Sequence, residues 1–250
     1  MIVDIHSQLG SHPLFRFEQT LEEIIVDIEN YGIDKTFLHS VPSMCHFQES
    51  NNVIAKAVEQ YPNKLIGFFN VNPMDPKASK EIDRAVSLEL KGLMLDPEFH
   101  YSMEQPITPG DKYLPPLMER AEEYNLPVLI VIPNIRSGMS PNSVMAMYRG
   151  LDELLARFPE VRVIVDLFTP GIIELCKKHS NIYVDTAGAS GGRITRLIYQ
   201  LSATRLLFGS YSPRYHSGIH MKTIKWLDLS IEQKSMILGG NAERIFKDIL

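Results

Sequence analysis

The stretch Val3-Asp-Ile-His-Ser-Gln8 closes a short apolar run with two polar side chains two residues apart, His6 and Gln8. Residues i and i+2 of a strand share a face, so the imidazole and the amide would project side by side. An imidazole there can exchange protons near neutral pH or ligate a metal. The amide of Gln8 offers only neutral hydrogen-bonding groups.

Further groups capable of chemistry recur at the ends of other apolar runs. His39 closes Thr36–His39, either as an acid/base group or as a hydrogen-bonded structural histidine. Asp96 follows Gly92–Leu95 and has His100 and Tyr101 close behind it. Such a carboxylate could form an acid/base pair with His6, or part of a substitute metal site, or simply cap an Asp-Pro turn. Asp185 closes Ile182–Asp185, as a pocket residue or as a partner of neighbouring strand ends. Arg214, followed by Tyr215 and His216, could grip an anionic group through its fork of donors. Ser190-Gly-Gly-Arg193 opens a helical segment, where bare amides could hold an anion or Ser190 could act as an ordinary cap. Met44, Met94, Met103 and Met139 could line a soft apolar pocket or fill gaps.

These groups share a position, the ends of short β-rich runs that alternate with helical patterns. The runs are Ile2–His6, Thr36–His39, Leu65–Val71, Gly92–Leu95, Val128–Ile132, Val161–Asp166, Ile182–Asp185 and Arg205–Phe208. Between them, segments such as Leu21–Tyr31 place acidic and aliphatic residues at helical spacing. Val128 to Ile132 is apolar at every position, as a strand covered on both faces should be. Eight strands alternating with helices predict one α/β domain, a single (β/α)8 TIM barrel spanning 1–250. A doubly wound open sheet is the alternative, but no glycine-rich dinucleotide fingerprint follows the first strand.

Composition narrows the function classes. A 250-residue chain with 44% hydrophobic residues can build one large core. Its net charge of −5 argues against nucleic-acid binding, which needs a basic surface. Cys45 and Cys176 lie far apart without metal-ligand spacing, as expected of a reduced, cytoplasmic protein. No secretory signal opens the sequence, and its longest apolar run is too short to span a membrane.

Several stretches carry a resemblance beyond these patterns. They are the VDIH start, YPNKLIGFFNVNPMDP (61–76), KGLMLDP (91–97), MERAEEYNLPVLI (118–130), NIYVDT (181–186), LLFGSYSP (206–213) and the closing ILGGNAERIF (237–246). In order and spacing, the chain resembles the amidohydrolase-related family of hydrolases and decarboxylases, and the likeness covers nearly its whole length. That family typically holds a metal with two histidines after strand one, one after strand five, often one after strand six, and an aspartate after strand eight. Carried over residue by residue, His6 matches, whereas Gln8, Val131, Leu167 and Tyr211 stand at the other positions. The resemblance thus implies the fold together with a degenerate metal site. No cofactor is expected, and a weakly held divalent metal stays open. In the family register Asp166 points toward the helices; slipped by one residue, it points into the mouth.

Two functions follow as expectations. One is an amidohydrolase-like hydrolase, or a related C–C or C–N lyase, acting on a small anionic metabolite. It would use His6, Asp96 and His39 for catalysis, with Gln8, His100, Asp185, Tyr211 and Arg214 around the substrate. The other is a non-catalytic barrel that binds a metabolite or partner. Members of the family often pair, so a homodimer with the Trp226 segment at its interface is an expectation by analogy.

Overall fold

The computed structural model describes residues 1–11, 17–41, 46–96, 112–131, 141–166 and 171–250. The sheet strands are β1 (Val3–Ser11), β2 (Glu18–Gln19), β3 (Lys35–Ser40), β4 (Leu65–Asn70), β5 (Gly92–Leu95), β6 (Val128–Ile130), β7 (Val163–Asp166), β8 (Ile182–Asp185) and β9 (Leu206–Leu207). They form one sheet in the order β2-β1-β3-β4-β5-β6-β7-β8-β9, parallel throughout except for the short β1–β2 pairing. The helices are α1 (Leu21–Tyr31), α2 (Phe47–Gln60), α3 (Ala78–Ser87), α4 (Pro115–Glu123), α5 (Pro141–Arg157), α6 (Ile172–Lys178), α7 (Gly191–Leu201), α8 (Ser217–Trp226), α9 (Ile231–Ser235) and α10 (Asn241–Ile245). The expected strands are all present, with ends shifted by a few residues. β1 runs five residues further than expected, and β2, α8 and α9 had no expected counterpart.

Local sequence explains the sharper boundaries. Thr20 and Glu23 form a reciprocal capping box, each side chain accepting the other's backbone N–H, and so start α1. Gly32, at φ 64°, ends it in the left-handed conformation that glycine adopts without steric cost.

Alternation along the strands sorts apolar side chains into two clusters. The larger includes Leu38, Phe69, Leu93, Leu95, Val163 and Val165, packed against the helices. The smaller lies on the inner face of the curled sheet and includes Val3, Ile5, Phe37, Ile66, Phe68, Met94, Leu129, Ile164 and Leu207. Phe246 and Ile245 of the C-terminal segment pack into it. Burying a side chain such as Phe37 or Phe68 contributes roughly 1.5–3 kcal/mol.

The two ends of the parallel sheet meet. Ile5 donates its N–H to Phe208 O (2.9 Å), Tyr211 to His6 O (2.6 Å) and Gln8 to Ser212 O (2.8 Å). Asp4 strengthens this seam, its Oδ1 accepting from the backbone N–H of Ser210 (2.8 Å) and of His6 (3.2 Å). Burial pushes the Asp4 carboxyl up to about 7. Among the described residues no helix is long and apolar enough to cross a membrane.

Candidate functional site

A bulge in β1 creates the site. The β1–β3 register shifts between Asp4 and Ser7. Before the shift Val3 and Ile5 face inward, whereas beyond it Leu9 packs with the helix-side cluster. The even-numbered His6 and Gln8 are thereby turned to the inner face, directly above Ile5. Re-aiming side chains is the usual effect of a bulge. On the other strands no bulge is needed. His39 shares the face of Phe37, Asn70 that of Phe68, Asp96 that of Met94, Val131 that of Leu129, Asp166 that of Ile164 and Asp185 that of Tyr183. An apolar inner layer therefore carries a polar layer one rung higher, at the C-terminal strand ends where barrel enzymes work.

His6 and Asp185 form the tightest polar contact of that layer. Nδ1 of His6 lies 2.5 Å from Asp185 Oδ2, and the two residues are 1% and 0% exposed. Asp185 Oδ1 accepts the Ala187 N–H at 2.8 Å. Burial pushes the carboxyl up to about 7, and the imidazole down to about 3 with help from the Arg214 guanidinium. Both shifts favour neutral partners. In the neutral pair Asp185 donates to Nδ1, so Nε2 carries the ring N–H. When the pair loses one proton, Nδ1 becomes the donor and Nε2 a bare acceptor. His6 Nε2 can thus give or take a proton, and it is buried without a partner among the described residues. Gly209 makes room for the pair, since a Cβ there would overlap the Asp185 carboxylate.

Tyr211 covers the pair. Its ring stacks on His6 with centroids 4.0 Å apart and 21° between planes. Its backbone holds φ at 52°, a left-handed conformation that costs a non-glycine residue about 1–2 kcal/mol. Arg214, half-buried, sets its Cζ 5.3 Å from the Tyr211 ring centroid and 6.0 Å from that of Tyr215. His216 is structural: it caps α8 by accepting the Gly218 N–H.

His39 occupies a different setting. Its ring centroid is 5.0 Å from that of His6, and its Nδ1 donates to Ser40 O at 2.9 Å. The Ser40 carbonyl also accepts from Asn70 Nδ2 at 3.3 Å, and the Ser40 hydroxyl accepts from it at 2.9 Å. Asn51 of α2 brackets the Asn70 backbone, accepting its N–H and donating to its carbonyl, both at 2.9 Å. The Asn51 amide also donates to the buried Glu81 (2.8 Å), which Arg84 grips with two nitrogens. Burial lowers His39 to about 3.

Set against the expectations, the structure brings His6, Asp185, Tyr211, Gln8 and His39 together. It replaces one pairing: the carboxylate on the His6 ring belongs to Asp185, not to Asp96. Asp96 is buried beyond β5 on the inner face. His100 and Leu167 lie outside the described residues, as do Tyr101, Met44, Met103 and Met139. Asp166 resolves to the inner face, one Cα rung beside Asp185. Val163 and Val165 pack toward the helices and Ile164 inward, so the slipped register is the observed one. Asn70 was missed altogether. Its only signal was a polar residue two positions after Phe68 in an otherwise apolar run. Ser190 does start α7, without a side-chain capping bond.

The donor set can be tested against a metal of the kind the resemblance implies. Val131 has no donor atom, and Tyr211 presents its ring face to His6. Among the described residues no three His, Cys, Asp or Glu side chains come together as a metal-holding group.

Comparison with known proteins follows the fold. No curated protein matches the sequence. The chain superimposes on a dihydroxybenzoic acid decarboxylase from a Polaromonas species, with bound manganese and 2-nitroresorcinol (TM-score 0.81, 15% identity, 98% of this chain and 96% of the other). It is similar to 5-carboxyvanillate decarboxylase from Novosphingobium aromaticivorans, also with manganese (0.79, 17%, 99% and 96%). A 2,6-dihydroxybenzoate decarboxylase from Rhizobium gives 0.80 at 14% identity over 99% of both chains. At such identities the likeness is one of fold. The amidohydrolase family model, in contrast, matches the sequence itself over residues 26–247. This chain belongs to the amidohydrolase family.

Proposed function

We propose that this protein is a small-molecule lyase that removes the carboxylate of a small aromatic acid. In this reading His6 and Asp185 carry the proton transfer on a closed (β/α)8 barrel whose inherited metal site is degenerate. The backbone bonds joining β1 to residues 208–212 support closure. Val131 and Tyr211 at ligand positions, with Gln8 as a neutral amide, support the loss of the metal centre. Decarboxylases among the structural neighbours support a lyase rather than a hydrolase.

One observation carries the reading: the 2.5 Å bond between two fully buried groups whose outer nitrogen, His6 Nε2, has no partner among the described residues. Decarboxylation breaks the C–C bond to the carboxylate and leaves its electron pair on carbon. That carbon takes the proton from His6 Nε2 while Nδ1 takes the one from Asp185. Carbon dioxide departs, and solvent returns one proton to the pair. Arg214 at the rim favours an anionic substrate. A second reading, binding without turnover, is favoured by the Tyr211 ring stacked on His6.

Chelator-treated protein should release carbon dioxide from at least one member of a panel of hydroxylated benzoates. Turnover that appears only on adding manganese would overturn the metal-free chemistry. Binding with no release across the panel would favour the second reading.

A further inference from the structure

We propose that His39 is a ligand-binding residue of fixed polarity, whose Nε2 accepts a hydrogen bond from an O–H or N–H group of the bound molecule. The inference rests on the reading that the polar layer holds the ligand, and it names what that ligand must present beside its carboxylate.

The argument is one of valence. Ser40 O is a carbonyl and can only accept, so the 2.9 Å contact requires the proton on His39 Nδ1. A neutral imidazole has one N–H, which leaves Nε2 a bare lone pair. Burial keeps a second proton away. His6 can reverse the polarity of its outer nitrogen because its partner is a carboxyl. His39 cannot, because its partner is an amide carbonyl.

The surroundings hold that carbonyl in place. Glu81, gripped by Arg84, can only accept, which orients the Asn51 amide with its nitrogen toward the carboxylate. The Asn51 oxygen then receives the Asn70 N–H, and Asn70 in turn donates to Ser40. The chain of bonds runs from α3 to the strand end and allows each amide one orientation. At its end stands His39 Nε2, buried, with no partner among the described residues. The groups facing the ring are His6, at 5.0 Å between centroids, and Tyr211, at 6.4 Å, with Gln8 opposite His39 in the β1–β3 register. A buried acceptor left bare is costly, and a ligand donor would relieve that cost.

Calorimetric titration with 3-hydroxybenzoate and 3-methoxybenzoate tests this, since the two share a carboxylate and differ in one capped hydroxyl. The hydroxylated probe should bind at least about tenfold tighter. That advantage should vanish in His39→Leu and survive in part in His39→Gln, whose amide oxygen can still accept. The readout in each variant is the ratio of the two affinities, which a general disturbance of the site would leave at its wild-type value. Histidine-selective 15N NMR should show His39 as the Nδ1–H form, its Nε2 resonance moving with the hydroxylated probe alone. Equal affinities, an advantage that outlives His39→Leu, or an Nε2–H form would overturn the inference while leaving the ligand site standing. If neither probe bound the wild type, the ligand site itself would fall, and the inference with it.

Discussion

Two rungs of the same strands, one above the other on the inner face, follow opposite rules. The lower rung, with Ile5, Phe37, Phe68, Met94, Leu129 and Ile164, is closely packed hydrocarbon. The upper rung, with Gln8, His39, Asn70, Asp96, Asp166 and Asp185, is polar. Several of its buried atoms, among them both amide atoms of Gln8, have no partner among the described residues. A rise of two residues separates a packed apolar layer from a buried polar one that is incompletely hydrogen-bonded among the described residues. The difference teaches where a substitution should weaken the protein and where it should strengthen it.

The largest effect belongs to the lower rung. Phe37 is 1% exposed, and its ring lies 5.2 Å from those of Phe68 and Phe246. Phe37→Ala should cost about 3–5 kcal/mol in chemical denaturation through lost burial and the cavity left behind. A cost below about 1 kcal/mol would mean that this layer is not the packed floor described.

The upper rung should respond with the opposite sign. Gln8→Leu keeps a similar bulk and removes two buried polar groups that make no hydrogen bond among the described residues. It should stabilise the fold by about 1–2 kcal/mol, raising Tm by several degrees, while weakening carboxylate binding. A fall in Tm would show that the amide is satisfied in the free protein.

Acidity sharpens the contrast more gently. His6 and His39 are pulled down to about 3, so the unfolded chain binds more protons between about pH 3 and 6.5. Their contribution to stability is therefore lost as pH falls through that window. Asp185 is pushed up to about 7, so here the folded chain binds more protons, and its contribution fades as pH rises from about 4 to 7. The two trends oppose each other. Asp185→Asn removes the second, so its unfolding free energy should drop more steeply than that of the wild type between pH 6.5 and 4. Parallel slopes would deny the titration assigned to Asp185.

The same two rungs show what could be read in advance. Alternating apolar runs, helical spacing and the ordered family stretches made the strand sequence legible, along with His6, His39 and Asp185 as strand-end groups. Facing was harder, because strands covered on both sides are apolar at every position and carry no parity signal. Val163-Ile-Val-Asp166 is the example: nothing in four apolar-patterned residues says that Ile164 and Asp166 look inward. The bulge that turns His6 toward Asp185 was illegible for a related reason, since it depends on how β1 meets β3 and the 208–212 segment. Hence strand-end position alone left Asp96 open as one candidate partner of His6, whereas the carboxylate that meets its ring, Asp185, lies 179 positions away in sequence.

The central claim is that His6 and Asp185 act as one proton-transferring unit. A double-mutant cycle of carbon dioxide release by chelator-treated protein tests it most directly, using wild type, His6→Gln, Asp185→Asn and the double variant on the best benzoate of the panel. Each single substitution should lower kcat by about 10²-fold or more, and the double variant should be scarcely worse than either single one. Multiplying losses, or a His6→Gln variant as fast as the wild type, would contradict the account.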